Sequence, residues 1–287
     1  MALNRNARSM FRSQFIALTA FVFCAFGDAL ATPVSFSEVL DLGVEADHVW
    51  RPYGTHSQQT LVHFPQNGVN EPSVLLIHGG CWSNAYGVDH ALPMAEALSE
   101  LGLDVWAAEY RRVGDEGGGW RGSLDDIKSA IRYVAKQTGN SPLLIGHSAG
   151  GHLALKAVED PALPIRGVVA LAPITDLVSY GAETGSCQSM VPKFMGDENY
   201  EPSEAYRNAS VSIDRISTPV KAILGDEDPI VGTNQVKRFS PAQLINVPEA
   251  GHFDLIHPKT PAFEVVKSAV AKIFSETIGS RAEPKNE

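Results

Sequence analysis

The 287-residue sequence predicts an α/β fold: a mainly parallel central sheet flanked by helices, with one insertion that breaks the rhythm. Three observations predict it. Short β-rich runs alternate with helical runs along most of the chain, the pattern of repeated strand–helix–strand units. The strands are almost continuously apolar, which implies burial on both faces of a parallel sheet. The composition is that of a globular chain, with 44% hydrophobic, 20% charged and 8% aromatic residues, and a mean hydropathy near zero. Such a chain is not intrinsically disordered.

In chain order, Gln59 to Phe64 reads as a strand and Ser73 to His78 as a short buried one. Ala91 to Leu101 has helical spacing, and Asp104 to Tyr110 returns to strand. In Leu124 to Lys136 the residues Ile127, Ile131 and Val134 share one helical face, with Ser123 placed as an N-cap. Pro142 to Gly146 is a buried strand, Gly151 to Val158 a helix, and Arg166 to Leu171, Val220 to Leu224 and Leu244 to Val247 are strands. Ala262 to Glu276 closes the domain as an amphipathic helix. Asp176 to Ser217 is longer than an ordinary connection and reads as a cap over a binding site. Residues 32–280 thus form one domain, with a cap at 176–217 and a polar, disordered tail at 281–287.

The N-terminus follows a different logic. Arg5, Arg8 and Arg12 precede an apolar run from Phe15 to Phe26, and Ala29-Leu30-Ala31 offers a small-x-small cleavage site. This is the pattern of a secretory signal peptide over 1–31, and it implies a periplasmic or secreted protein. The run is too short for a membrane span, which needs about 20 apolar residues. Phe23 before Cys24 argues against a lipoprotein, so no stable membrane anchoring is expected after cleavage. Cleavage leaves 20 basic and 32 acidic residues, a formal charge of −12. Without a basic face, nucleic acids and anionic membranes are excluded as partners. The mature chain keeps Cys81 and Cys187, which can pair or stay as buried thiols. Oligomeric state is left open.

Gly146-His147-Ser148-Ala149-Gly150 follows a buried strand and precedes a helix. That context turns a weak Gly-x-Ser-x-Gly pattern into a nucleophile elbow, with Ser148 exposed at the top of the sheet. His78-Gly79-Gly80-Cys81-Trp82 follows an earlier strand, where glycines let backbone N–H groups approach a substrate oxygen. Gly79, Gly80 and Cys81, with the N–H of Ala149, are the expected oxyanion hole. His78 is expected to brace the loop. Trp82 and His147 are expected on the pocket wall, Trp82 with burial in the core as the alternative.

A serine nucleophile needs a base, and the base an acid to orient it. The loop after the Val220–Leu224 strand offers three carboxylates. Asp228 is the expected acid, Asp226 its rival, and Glu227 is read as solvated. His252 follows the last strand and is the expected base, with His257 the rival. His147 and His152 share no helical face and have no acidic or Cys partner nearby, so no metal is expected. No P-loop or dinucleotide fingerprint is present, and no cofactor is required. Gly117 to Trp120 is read as a loop near the mouth of the site.

The paired motifs HGG-x-W at His78–Trp82 and GHSAG-x-H at Gly146–His152 resemble those of the α/β-hydrolase superfamily. The resemblance is to its serine esterases and to the arylformamidase (kynurenine formamidase) branch, and spans Pro65 to Phe274. Glu109-Tyr110-Arg111 and Gly251-His252-Phe253 add to it. It implies an α/β-hydrolase fold and a hydrolase acting on a small ester or amide, with Ser148, Asp228 and His252 as its triad. Cys81, where that branch commonly has tyrosine, and the export pattern favour an esterase over a formamidase. The alternatives are an arylformamidase-like amidase and a non-enzymatic binding protein of the same fold. In an exported protein, Cys81 and Cys187 could join the oxyanion loop to the cap.

Overall fold

The computed structural model describes residues 32–66, 68 and 71–279. The expected signal segment 1–31 and the tail 281–287 lie outside the described residues. Eight strands form one sheet: β1 (Val49–Pro52), β2 (Thr60–Phe64), β3 (Ser73–Ile77), β4 (Asp104–Ala108), β5 (Leu143–His147), β6 (Gly167–Leu171), β7 (Val220–Gly225) and β8 (Leu244–Val247). Their order is β1-β2-β4-β3-β5-β6-β7-β8. β1 and β2 pair antiparallel at one edge, as do β2 and β4; every other pair is parallel. All residues of β3, β5, β6 and β7 are buried, as their continuous apolar character requires.

The helices are α1 (Phe36–Leu40), α2 (Leu92–Ser99), α3 (Gly122–Thr138), α4 (Ala149–Val158), α5 (Leu177–Gly181), α6 (Met190–Met195), α7 (Glu204–Ala209) and α8 (Pro261–Gly279). α2 packs on β2 and β4, α3 and α4 pack on each other and on β3, and α8 packs on β6 and β7. No helix among the described residues is long and apolar enough to cross a membrane.

The order of connection reverses at β3: β4 lies on one side and β5 on the other, both parallel to it. Ligand sites of parallel sheets form at the carboxyl ends of strands at such a switch point. The β3–β5 register pairs Ile77 with Gly146. The His78–Trp82 loop and the Ser148 turn therefore leave the sheet side by side.

Three local expectations are corrected. Ser123 lies inside α3, not at its cap, and its hydroxyl donates to the Arg111 carbonyl at 2.6 Å. The turn ending in Arg121 (φ 29°) starts the helix at Gly122, two residues earlier than expected. α4 starts at Ala149, because the serine turn feeds straight into the helix. α1 and β1 have no counterpart in the sequence reading. β1 is an exposed edge strand ending in proline and has no buried face to impose alternation. The 176–217 segment is ordered into α5, α6, α7 and a short helical turn at Ile213–Arg215, with Tyr180, Val191, Phe194 and Tyr206 buried.

Candidate active site

Ser148 sits at the β5–α4 turn with φ 55° and ψ −118°, a strained conformation for a side chain with a Cβ. Two glycines permit the turn. A Cβ on Gly146 would lie 2.4 Å from the Gly150 carbonyl oxygen, and one on Gly150 would lie 2.2 Å from that of Ile77. The turn is pinned by the Ser148 N–H donating to the Leu171 carbonyl on β6 at 2.8 Å.

The loop after β3 approaches from the other side. A Cβ on Gly79 would stand 3.1 Å from Cβ of Ser148. Gly80, Cys81 and Trp82 all have positive φ, at 100°, 53° and 56°. His78 braces this loop as expected: Nδ1 lies 2.7 Å from the Gly79 carbonyl and Nε2 lies 3.0 Å from Glu109 Oε1. Glu109 also accepts from the backbone of Val88 and Tyr110 and pairs with Arg112 at 2.9 Å. Burial works to raise the Glu109 pKa, but the His78 hydrogen bond and charge and the Arg112 charge outweigh it, and the net shift is downward. Ala149 is the first residue of α4, so the helix itself leaves its N–H without a partner.

Asp228 and His252 meet across two neighbouring loops, because β7 and β8 pair Gly225 with Val247. His252 Nδ1 lies 2.7 Å from Asp228 Oδ2, and both side chains are almost wholly buried. The other carboxylate oxygen accepts from Ile230 N at 2.8 Å and Val231 N at 2.9 Å. The neighbouring Asp226 and Glu227 are exposed. His257 only caps its own turn, accepting from Lys259 N.

Ser148, His252, His147, Gly80 and Cys81 line one cavity of about 140 Å³. Cys187 and Ser186 from the segment after α5 close one side, and Cys81 and Cys187 are joined by a disulfide. His147 lines this cavity: its Nε2 donates to the His252 carbonyl at 3.1 Å, and its buried Nδ1 has no hydrogen-bond partner. Burial, followed by the His252 charge, lowers its pKa well below the ordinary range. His90, also on the wall, is pushed down to about 3 by burial and then by the charge of His78. With both rings neutral, neither adds a positive charge beside His252.

Trp82 is not on the wall. It is fully buried, donates from Nε1 to His152 Nδ1 at 3.2 Å and stacks on Phe194 at 4.6 Å between centroids. The Gly117–Trp120 loop likewise lies away from this cavity, with Trp120 N donating to the Phe194 carbonyl at 2.6 Å. Three further wall residues, Phe36, Tyr86 and His90, escaped the sequence reading. They lie outside every motif, and only the fold brings them together.

The model of the BD-FAE family matches residues 62–242. A kynurenine formamidase of Meyerozyma guilliermondii is 22% identical over 262 residues, covering 82% of this chain and 97% of its own. Among solved structures, Esterase B from Lactobacillus rhamnosis superposes with a TM-score of 0.66 at 19% identity, covering 87% of this chain and 93% of its own. The HSL-homolog EstE7 from a metagenome library gives a TM-score of 0.67 at 18% identity, with 84% and 91% covered. The carboxylesterase EstE1 from a metagenomic library gives 0.61 at 22% identity, with 84% and 92% covered. At these identities the structural likeness is one of fold, and the fold is that of the α/β-hydrolases.

Proposed function

The chain belongs to the BD-FAE family, and from that premise we propose that it is a serine hydrolase that cleaves a small carboxylic ester through an acyl-enzyme. The observation that carries the reading is the 2.7 Å contact between His252 and Asp228, with the strained Ser148 in the same cavity. Ser148 Oγ attacks the ester carbonyl carbon while His252 Nε2 takes its proton. Asp228 holds the Nδ1–H and stabilises the imidazolium. The backbone N–H groups of the Gly80–Cys81 turn and of Ala149 receive the oxyanion, at about 3 kcal/mol for each donor. The C–O bond then breaks, and the leaving alcohol takes the proton from His252. Water attacks the acyl-enzyme with His252 as base, releasing the acid and restoring Ser148. The 176–217 segment, which supplies Ser186 and Cys187 to the cavity, bounds one side of the substrate site.

The test is hydrolysis of p-nitrophenyl acetate by the protein and by Ser148→Ala. Activity is expected to vanish with the hydroxyl. Activity that survives in the variant would mean a different nucleophile. A second reading, an amidase acting on N-formyl aryl amines, is favoured by the similarity to a kynurenine formamidase. It is separated from the first by comparing aryl esters with N-formyl aryl amines on the same preparation.

We also propose that the protein is exported. The tripartite pattern of residues 1–31 supports this, as does the Cys81–Cys187 disulfide, since such bonds persist in oxidising compartments. Sequencing the N-terminus of protein recovered from outside the cytoplasm tests it: Thr32 is expected first, and Met1 would refute cleavage.

A further inference from the structure

One wall residue of the cavity, Phe36, comes from the N-terminal segment Pro33–Leu40. A helix as short as α1 does not hold itself together. Its ends are held by other means. The Val34 N–H donates to Asp254 Oδ2 at 2.9 Å, and the same oxygen accepts from Gly251 N at 3.1 Å. One carboxylate thus clips the segment to the loop that carries His252. Pro33 packs on Gly251, where a Cβ would come within 2.5 Å of Pro33 Cβ. At the other end Val39 is fully buried in the core. A capping box closes the helix between them, with Ser35 N donating to Glu38 Oε2 at 2.8 Å and Glu38 N to Ser35 Oγ at 3.3 Å.

Between these anchors stands Phe36. Its ring centroid lies 5.5 Å from Tyr86, 5.4 Å from His90 and 5.5 Å from Phe253, all of them wall residues. At about 140 Å³ the cavity is small beside the roughly 300–1,000 Å³ of sites that take drug-sized ligands. The rest of its lining is largely apolar, including Phe253, Ile230 and the disulfide. We propose that Phe36 is a specificity-determining residue that limits the substrate to esters of short, unbranched acyl groups, from acetyl to about butyryl. This rests on the serine-esterase reading above. In this proposal the cavity takes the acyl chain, and the Phe36 ring on its wall is where a longer chain collides.

The test compares p-nitrophenyl acetate, butyrate, hexanoate and octanoate on the native protein, on Phe36→Ala and on Phe36→Trp, with Ser148→Ala as background. A ratio between two esters does not depend on how much of a preparation is folded, so loss of stability cannot imitate the effect. The native protein is expected to favour acetate and butyrate. Phe36→Ala should raise the octanoate-to-acetate ratio of kcat/KM by about tenfold or more, chiefly through KM. Phe36→Trp should move the butyrate-to-acetate ratio down. If both variants leave the ratios unchanged while native activity depends on Ser148, Phe36 is only structural and the proposal falls alone. If the native protein hydrolyses none of the series, the esterase reading fails and takes the proposal with it.

Discussion

Cys81, in the loop that approaches Ser148, is bonded to Cys187, 106 residues later in the segment between β6 and β7, with their α-carbons 5.1 Å apart. The bond fixes two sides of one cavity and closes a long loop. Disulfides closing such loops commonly stabilise by about 2–4 kcal/mol. The variant Cys81→Ser/Cys187→Ser is expected to lose about that much in urea unfolding. Reductant should lower the native protein to the same midpoint and leave the double variant unmoved. An unshifted midpoint in the double variant would show that the segment carrying Cys187 is held by its packing alone.

Three carboxylates crowd the loop after β7, but only Asp228 is turned inward onto His252. Asp228→Asn is expected to cut kcat by about 10³- to 10⁴-fold with little change in folding, because the imidazole loses its tautomer and its counter-charge. Asp226→Asn and Glu227→Gln, both at exposed positions, should leave kcat within about twofold. Equal losses at Asp226 and Asp228 would contradict this assignment.

The glycines of the elbow are a steric requirement. A Cβ on Gly150 would sit 2.2 Å from the Ile77 carbonyl oxygen and 2.4 Å from that of His78, and both are backbone atoms that cannot step aside cheaply. Gly150→Ala should lose about 1–3 kcal/mol or more in denaturant unfolding. It should lower kcat as well, since relief comes by moving β3 away from the serine turn. A variant with native stability and native kcat would show that the two loops are not in this contact.

His152 is fully buried between Trp82 Nε1 and the Ala209 carbonyl, and burial pushes its pKa down to about 4 from 6.5. The unfolded chain protonates this ring below about pH 6.5, whereas the folded chain resists until about pH 4. Its contribution to stability is therefore complete above pH 6.5 and is lost as the pH falls toward 4. His152→Gln can accept from one partner and donate to the other without titrating. Its unfolding free energy should fall less steeply with acid, by about 1.4 kcal/mol per pH unit over that window. Parallel slopes for the two proteins between pH 7 and 4.5 would refute the buried neutral state.

The sequence by itself determined the parts of this protein that are governed by local rules. The apolar runs of β3 and β5–β7 could only be buried strands, and the strand–turn–helix setting of Ser148 marked the elbow, because a tight turn demands glycines at Gly146 and Gly150. Chain order then pointed to His252 and to the loop of Asp226, Glu227 and Asp228, and the resemblance to Asp228 within it. What only the tertiary structure decided depends on contacts across long separations. Trp82 was legible as a large aromatic beside the Gly79–Gly80 turn, but its burial rests on stacking with Phe194, over a hundred residues away. Asp228 and Asp226 differ by two positions, and only the pairing of β7 with β8 turns one inward. Phe36 lies in a short helix whose sequence carries no period of its own. It becomes a wall of the site because Asp254, at the far end of the chain, accepts a hydrogen bond from Val34. Local patterning fixes which segments are strands and turns, but the residues that bound the cavity are brought together by packing, and no short window of sequence records it.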